Sequence, residues 1–334
     1  MRYLITGGAG FIGSHLSDAL LQAGHTVTAV DDFSTGRLEN IKPLLANPQF
    51  QMVRETITNE TVMDRLVSEC DQIIHLAAAV GVELIVRSPV HTIETNVMGT
   101  EIVLRTARRY SKKVLIASTS EIYGKSANVP YAEEDDCLMG PTTRHRWAYA
   151  TSKALDEFLA LAYHKEYQLP VVIFRLFNTV GPRQRGRYGM VVPRLVRQAL
   201  TGIPLTVYGD GQQSRCFCDV RDVVRAIVGL SQATVAEGEV YNIGSQTEIS
   251  ILELAKLVLQ LTGSSAQPVL IPYEQAYEHG FEDMRRRIPD TRKIGALLGW
   301  EPHFTLHQTI RDIIHQFQTE GLGEAITEIR PKTA

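Results

Sequence analysis

Gly7-Gly8-Ala9-Gly10-Phe11-Ile12-Gly13 is the stretch on which the reading of this chain turns. Before it, Arg2 to Thr6 is a short apolar strand; after it, Ser14 to Ala23 carries Leu16, Ala19 and Leu20 at helical spacing. Glycines at the first, fourth and seventh places let the chain turn sharply, let a pyrophosphate approach the backbone and let helix pack on strand. The helix N-terminus, at Gly10, Phe11, Ile12 and Gly13, offers N–H donors to the phosphates. A glycine motif alone is weak evidence, but here Thr26 to Val30 forms a second apolar strand ending in Asp31-Asp32. A carboxylate at that place binds both hydroxyls of an adenosine ribose and repels a 2′-phosphate, so the expected cofactor is NAD rather than NADP.

Further along, Gln72 to Leu76 reads as a third buried strand, and Ala77-Ala78-Ala79 after it is small enough for a cofactor to lie against the backbone. Lys113 to Ala117 is another buried strand, running into Ser118-Thr119-Ser120-Glu121-Ile122-Tyr123-Gly124. Beyond it stands Trp147-Ala148-Tyr149-Ala150-Thr151-Ser152-Lys153. If Tyr149 opens a helix, Lys153 lies one turn later on the same face, where its ammonium can lower the phenol's pKa and make Tyr149 a base. The Thr119 hydroxyl and the Glu121 carboxylate would face the same point. Tyr-x-x-x-Lys by itself often lines a solvated face; with the glycine loop it reads as an active site.

The glycine spacing resembles that of the short-chain dehydrogenase/reductase superfamily. In its extended, nucleotide-sugar branch further matches are Ile73-Ile74-His75-Leu76-Ala77-Ala78, Asn96-Val97-Met98-Gly99-Thr100 and the Tyr149/Lys153 pair, so the resemblance covers nearly the whole chain. It implies an α/β fold, a Rossmann doubly wound parallel sheet with a smaller, discontinuous C-terminal substrate lobe. The expected division is 1–180, with 215–245 returning to it, for the NAD-binding domain, and 181–214 with 246–334 for the nucleotide-sugar lobe. Asp219 to Ser231 and Glu239 to Ile243 read as the returning helix and strand, while Ser250 to Leu261 and Asp290 to Leu298 read as helices of the lobe. By the same resemblance Asn96 holds the active-site geometry beside the cofactor. One position departs: an acid common near the adenine corresponds here to Thr56.

Thr92 to Tyr110 and Thr151 to Glu166 read as long amphipathic helices, the second with Leu155, Phe158, Leu159 and Ala162 in one apolar stripe. Such a stripe is usually core. The resemblance adds that two helices at these places pair across a two-fold axis, which implies a homodimer.

Composition narrows the partners. The 334 residues are 44% hydrophobic with a net charge of -3, which gives no electrostatic reason to expect nucleic acid or an anionic membrane. Glycines interrupt the apolar start, no apolar run reaches membrane-spanning length, and there is neither repeat nor low-complexity linker. Cys70, Cys137, Cys216 and Cys218 lack paired metal-ligand spacing and read as buried thiols of a reducing compartment, hence the cytoplasm and no metal. The basic run Arg183 to Arg187 needs a separate explanation.

The resemblance assigns the sugar end. Arg215 and Arg287 resemble arginines that grip a nucleotide-sugar diphosphate, as bidentate guanidinium recognition suits, with Arg285 and Arg286 as a solvated alternative. Leu205-Thr206-Val207-Tyr208-Gly209 resembles the segment beside the base, most often uracil. Ser120, Asn178 and Arg183 complete the implied substrate contacts. Across the family the Tyr149 phenolate takes a proton from a sugar C4 hydroxyl while NAD takes the hydride. Glu121 after Thr119-Ser120 argues against simple epimerisation. Phe177-Asn178-Thr179, Gly181-Pro182-Arg183, Arg146-Trp147-x-Tyr149 and Arg287-Ile288-Pro289-Asp290 look closest to UDP-glucuronate decarboxylases. Val80 to Arg87 departs, lacking the tyrosine those enzymes carry after the third strand. The alternatives are a UDP-hexose or UDP-hexuronate 4-epimerase, then a 4,6-dehydratase or a non-catalytic NAD-sensing regulator.

Overall fold

In the computed structural model, residues 1–81, 88–186, 190–276 and 284–321 are described. Residues 82–87 of the tyrosine-free segment, Arg187 of the basic run and the last part of the expected lobe, 322–334, lie outside the described residues.

Seven strands form one sheet: β1 (Arg2–Thr6), β2 (Thr26–Asp31), β3 (Phe50–Arg54), β4 (Gln72–His75), β5 (Lys113–Thr119), β6 (Val171–Leu176) and β7 (Glu239–Ile243). Their order is β7-β6-β5-β4-β1-β2-β3, and each neighbouring pair is parallel. The order reverses between β1 and β4, and it is beyond the carboxyl ends of strands at such a reversal that a crevice opens.

Successive side chains of a strand point to opposite faces, and both faces are apolar here. Tyr3, Ile5, Ile74, Leu115, Val172 and Phe174 face α1 (Phe11–Gln22) and α6 (Val220–Gln232). Leu4, Ile73, Val114, Ile116, Val171 and Ile173 face α2 (Glu60–Glu69), α3 (Gly99–Arg109) and α4 (Arg146–Tyr167). One turn of π-helix, Glu94–Met98, interrupts the expected helix from Thr92 to Tyr110. Such turns concentrate at functional sites.

A third cluster joins α5 (Val191–Thr201), α7 (Ile251–Thr262) and α9 (Leu306–Glu320) through Leu195, Leu254, Val258, Ile310 and Ile313. Capping boxes, Ser250 with Glu253 and Thr305 with Gln308, fix where α7 and α9 begin. Two strand pairs border this cluster: 205–208 with 268–271, and 214–216 with 248–250. The helix expected over Asp290 to Leu298 forms as α8 (Arg292–Leu298), but its Ile294 packs, with Trp300, into the core on the α1/α6 side of the large sheet. Its apolar face found the nearer and larger apolar surface.

The stripe on α4 also differs from the expectation of core. Leu155 is 48% exposed and Phe158 72%, while the same helix buries Ser152, Lys153, Asp156, Glu157 and Ala160. Polar groups can occupy that face because each has a partner there: Arg175 donates to Glu157 at 2.7 Å, Asn96 to Ser152 at 3.1 Å and Lys153 to Asp156 at 2.8 Å. Cys70, Cys216 and Cys218 are buried, whereas Cys137 is exposed. Among the described residues no helix is long and apolar enough to cross a membrane.

Candidate active site

A cleft of about 740 Å³ runs along the carboxyl ends of the strands. At one end it is built from backbone. Gly7 turns at φ 69°, and a Cβ there would come within 2.9 Å of the Ala77 nitrogen; a Cβ on Gly13 would come within 2.3 Å of the Gly7 carbonyl oxygen. These contacts explain glycine at the first and seventh places. Gly10 begins α1 with no capping side chain and no acid in the first turn, so an anion meets no competitor for the helix N–H groups.

Asp31 accepts from the Phe33 N–H at 2.8 Å and the Ala9 N–H at 3.0 Å, and burial raises its pKa despite these donors. Asp32 accepts from the Ser34 N–H at 2.8 Å. The Thr6 hydroxyl oxygen accepts from the Leu76 and Ala77 N–H groups, and Leu76 and Ala77 line the cleft with Ala78, Gly7, Gly10, Phe11, Ile12 and Gly13. Thr56 lines it too, next to Glu55, so an acid stands one residue from the expected place. A dinucleotide fits this end: a glycine-lined turn, an uncapped helix N-terminus and a carboxylate at the β2 end occur on one wall.

Asn96 belongs behind the wall. It is fully buried, accepts from the Ala79 N–H at 2.8 Å and donates to Ser152, thereby tying the loop after β4 to α4. It is absent from the residues lining the cleft.

The other end is built from side chains. α4 begins at Arg146, so Tyr149 falls in its first turn and Arg146, Tyr149 and Lys153 share one face at spacings of three and four. The Thr119 hydroxyl accepts from the Glu121 N–H at 3.2 Å and lines the cleft with the Tyr149 phenol, whose ionised form it favours. Glu121 lies between two cations, Arg146 at 3.2 Å and Arg287, whose Nη1 donates to Oε1. Ser120 is buried at the same turn.

Three residues have partners within the chain that the sequence reading did not name. Lys153 was expected to lower the pKa of Tyr149; instead its ammonium donates to Asp156, and the phenol's pKa is raised, first by burial, then by Glu121 and Asp156, with Thr119 opposing. Arg287, expected on a diphosphate, meets Glu121. Arg183, expected on substrate, pairs with Asp18 of α1 at 2.7 Å while its backbone N–H donates to Gln316. Arg215 donates to the Ser214 and Met284 carbonyls, joining the 214–216 strand to the segment that carries Arg287. Asn178 donates to the Cys216 carbonyl at 3.2 Å, and the Tyr208 ring lies beneath the Arg194 guanidinium at 4.2 Å. Asn178, Arg183, Tyr208, Arg215 and Arg287 all line the cleft nonetheless.

Sequence reasoning passed over Arg146 as a partner of Glu121 and Asp156 as the partner of Lys153. Spacing held a signal for both: Arg146 is three residues before Tyr149, and Asp156 three after Lys153.

The chain is 43% identical over 318 residues to a UDP-N-acetyl-alpha-D-glucosaminuronate decarboxylase of Bacillus cytotoxicus, covering 95% of this chain and 98% of that protein. It is 39% identical over 331 residues to UDP-glucuronic acid decarboxylase 1 of Xenopus tropicalis, covering 99% of this chain and 75% of the relative. Among solved structures, UDP-glucuronic acid 4-epimerase from Bacillus cereus, in complex with UDP-glucuronic acid and NAD, superposes with a TM-score of 0.85 at 32% identity, covering 95% of this chain and 100% of that one. The family described as GDP-mannose 4,6 dehydratase matches residues 4–313. With that match spanning both ends of the cleft, the chain belongs to this family of extended short-chain dehydrogenases/reductases.

Proposed function

We propose that the chain is an NAD-dependent decarboxylase of a UDP-hexuronate, UDP-glucuronate foremost, working through a 4-keto sugar. The observation that carries this reading is Glu121 held by Arg146 and Arg287 beside Thr119 and Tyr149, because guanidinium groups at the sugar end suit a substrate with a carboxylate at C6. Likeness to two uronate decarboxylases supports it.

Bound NAD supplies the acceptor, and later the donor, of the hydride at C4. Gly7, Gly10 and the start of α1 hold its pyrophosphate and Asp31 its adenosine ribose. Tyr149 takes the proton of the C4 hydroxyl and returns it at the end; Thr119 orients the phenol, and Lys153 supplies a positive charge one turn away. Once C4 is a carbonyl, the C5–C6 bond breaks, CO₂ leaves, and the bonding electrons pass towards the carbonyl oxygen. Glu121 then manages the proton that C5 must gain. Ser120, Asn178, Tyr208, Arg183 and Arg215 contribute to the sugar and nucleotide contacts.

We assign the sheet and its flanking helices to cofactor binding and the α5/α7/α9 cluster to the nucleotide. The exposed Leu155 and Phe158 support a homodimer formed through α4. Buried thiols at Cys70, Cys216 and Cys218 support a reducing, cytoplasmic setting.

Likeness to a UDP-glucuronic acid 4-epimerase favours 4-epimerisation as the second reading. Incubation with UDP-glucuronate and with UDP-N-acetylglucosaminuronate, followed by mass and NMR analysis, separates the two. Release of CO₂ with a pentose product is expected; an isomer of unchanged mass overturns decarboxylation in favour of epimerisation.

A further inference from the structure

The active-site lysine has a partner of its own. Lys153 Nζ lies 2.8 Å from Asp156 Oδ2, three residues on along α4, and the two side chains are 3% and 0% exposed. Desolvating both charges costs several kcal/mol, so a pair this deep persists only where its geometry is held. It is held from two sides. α4 fixes the spacing, and Thr100 of α3, whose hydroxyl lies 3.1 Å from His75 Nε2, favours the ionised Asp156 carboxyl. His75 is held in turn by Thr6, 2.7 Å from its Nδ1.

The other charged groups nearby are committed elsewhere. On α4, Glu157 is bound by Arg175 of β6 and by Ser118 of β5; beyond β5, Glu121 meets Arg146 and Arg287. From β4, His75 stays neutral because burial and the Lys153 charge disfavour its protonated form. Among the described residues Asp156 is therefore the carboxylate that faces the Lys153 ammonium. It does not line the cleft, so it reaches the chemistry through its neighbours.

We propose that Asp156 is a positioning residue that fixes the Lys153 ammonium one turn beyond Tyr149 and offsets its field at the phenol. The carboxylate opposes ionisation of Tyr149, and an ammonium paired to it favours ionisation less than one standing alone. Asp156 thus sets how far the Lys153 charge can offset the burial that raises the phenol's pKa. The inference rests on Tyr149 being the base and applies equally to decarboxylation and to epimerisation, since both begin with the C4 hydroxyl proton.

The test uses the full chain with NAD bound and the variants Asp156→Asn and Asp156→Glu. Tyrosinate absorbance is titrated for each against the same protein carrying Tyr149→Phe, and the acid limb of kcat/KM is followed in parallel. In Asp156→Asn both curves move to lower pH, by about one unit, as expected when a like charge near the phenol is removed; Asp156→Glu leaves both near the wild-type position. Curves for Asp156→Asn that superpose on wild type, or a fall in kcat with neither curve displaced, overturn the proposal. Asp156→Ser carries the same expectation if the amide is not tolerated. Turnover surviving in Tyr149→Phe would instead remove the reading of Tyr149 on which the proposal rests, an outcome separate from the tyrosinate titration.

Discussion

The two ends of the cleft are made of different material. The cofactor end consists of glycine, alanine and backbone N–H groups arranged by strand ends and one helix N-terminus, with a Cβ on Gly13 only 2.3 Å from a carbonyl oxygen. The sugar end consists of long charged side chains from four segments, Glu121, Arg146, Arg215 and Arg287, of which the first and last are 166 residues apart. A backbone-built site tolerates no added atom but needs few side-chain identities. A side-chain site tolerates shape changes but depends on charge. Substitutions at the two ends should therefore fail in different ways.

The largest effect is expected from Tyr149→Phe. Without its proton acceptor the enzyme should lose about 10²–10⁴-fold in kcat. UDP-sugar affinity, measured by calorimetry, should change little because other groups hold the nucleotide. Parallel losses in affinity and turnover would mean that Tyr149 binds substrate rather than acting on it.

Gly13→Ala should fail earlier, at folding and cofactor binding. The added methyl forces the 7–13 turn from α1, costing about 1–3 kcal/mol by thermal or urea unfolding. A Gly13→Ala protein with unchanged stability and cofactor affinity would show that the cofactor end is less tightly built than its distances indicate.

Arg146→Gln probes the charge dependence of the sugar end. Loss of one guanidinium should weaken UDP-glucuronate by about tenfold, ~1.4 kcal/mol, while leaving neutral UDP-glucose unchanged. Equal weakening of both ligands would assign Arg146 to holding Glu121 alone.

The effect smallest at neutral pH is a pH slope. His75 lies between the two ends, its pKa lowered from 6.5 to about 3 by burial and then by the Lys153 charge. Between those values the unfolded chain binds a proton that the folded chain does not, so stability rises with pH across the window and is lost as pH falls below 6.5. The slope contributed is at most about 1.4 kcal/mol per pH unit. His75→Gln should flatten the dependence of urea midpoints on pH across that window, from about 3 to 6.5. An unchanged slope would show that His75 takes up its proton without unfolding.

Legibility followed the same division between the two ends. β1 and β7 could be read to the residue and α6 nearly so, while α1 begins at Phe11, three residues before the expected Ser14; continuous apolar runs and glycine turns are local signals. Gly7, Gly10, Gly13 and Asp31 could be read for the same reason: their spacing along the chain is their geometry. β3, with half-buried Met52 and Val53, gave too little periodic contrast to be recognised beforehand, whereas α5 carried buried Val192, Leu195, Val196 and Ala199 at helical spacing, a signal that went unread.

The sequence by itself determined the doubly wound sheet and the cofactor turn, since apolar strand runs, helix spacing and glycine chemistry act over a few residues. Tertiary structure alone decided which groups pair. Leu155 and Phe158 face outward while Asp156 and Glu157 face inward, because burial on α4 follows the partners brought by Arg175, Asn96 and Lys153 rather than apolarity. Arg287 meets Glu121, and Arg183 meets Asp18, for a common reason. A charge's partner depends on which carboxylate packing brings within reach, and sequence distance carries no record of that.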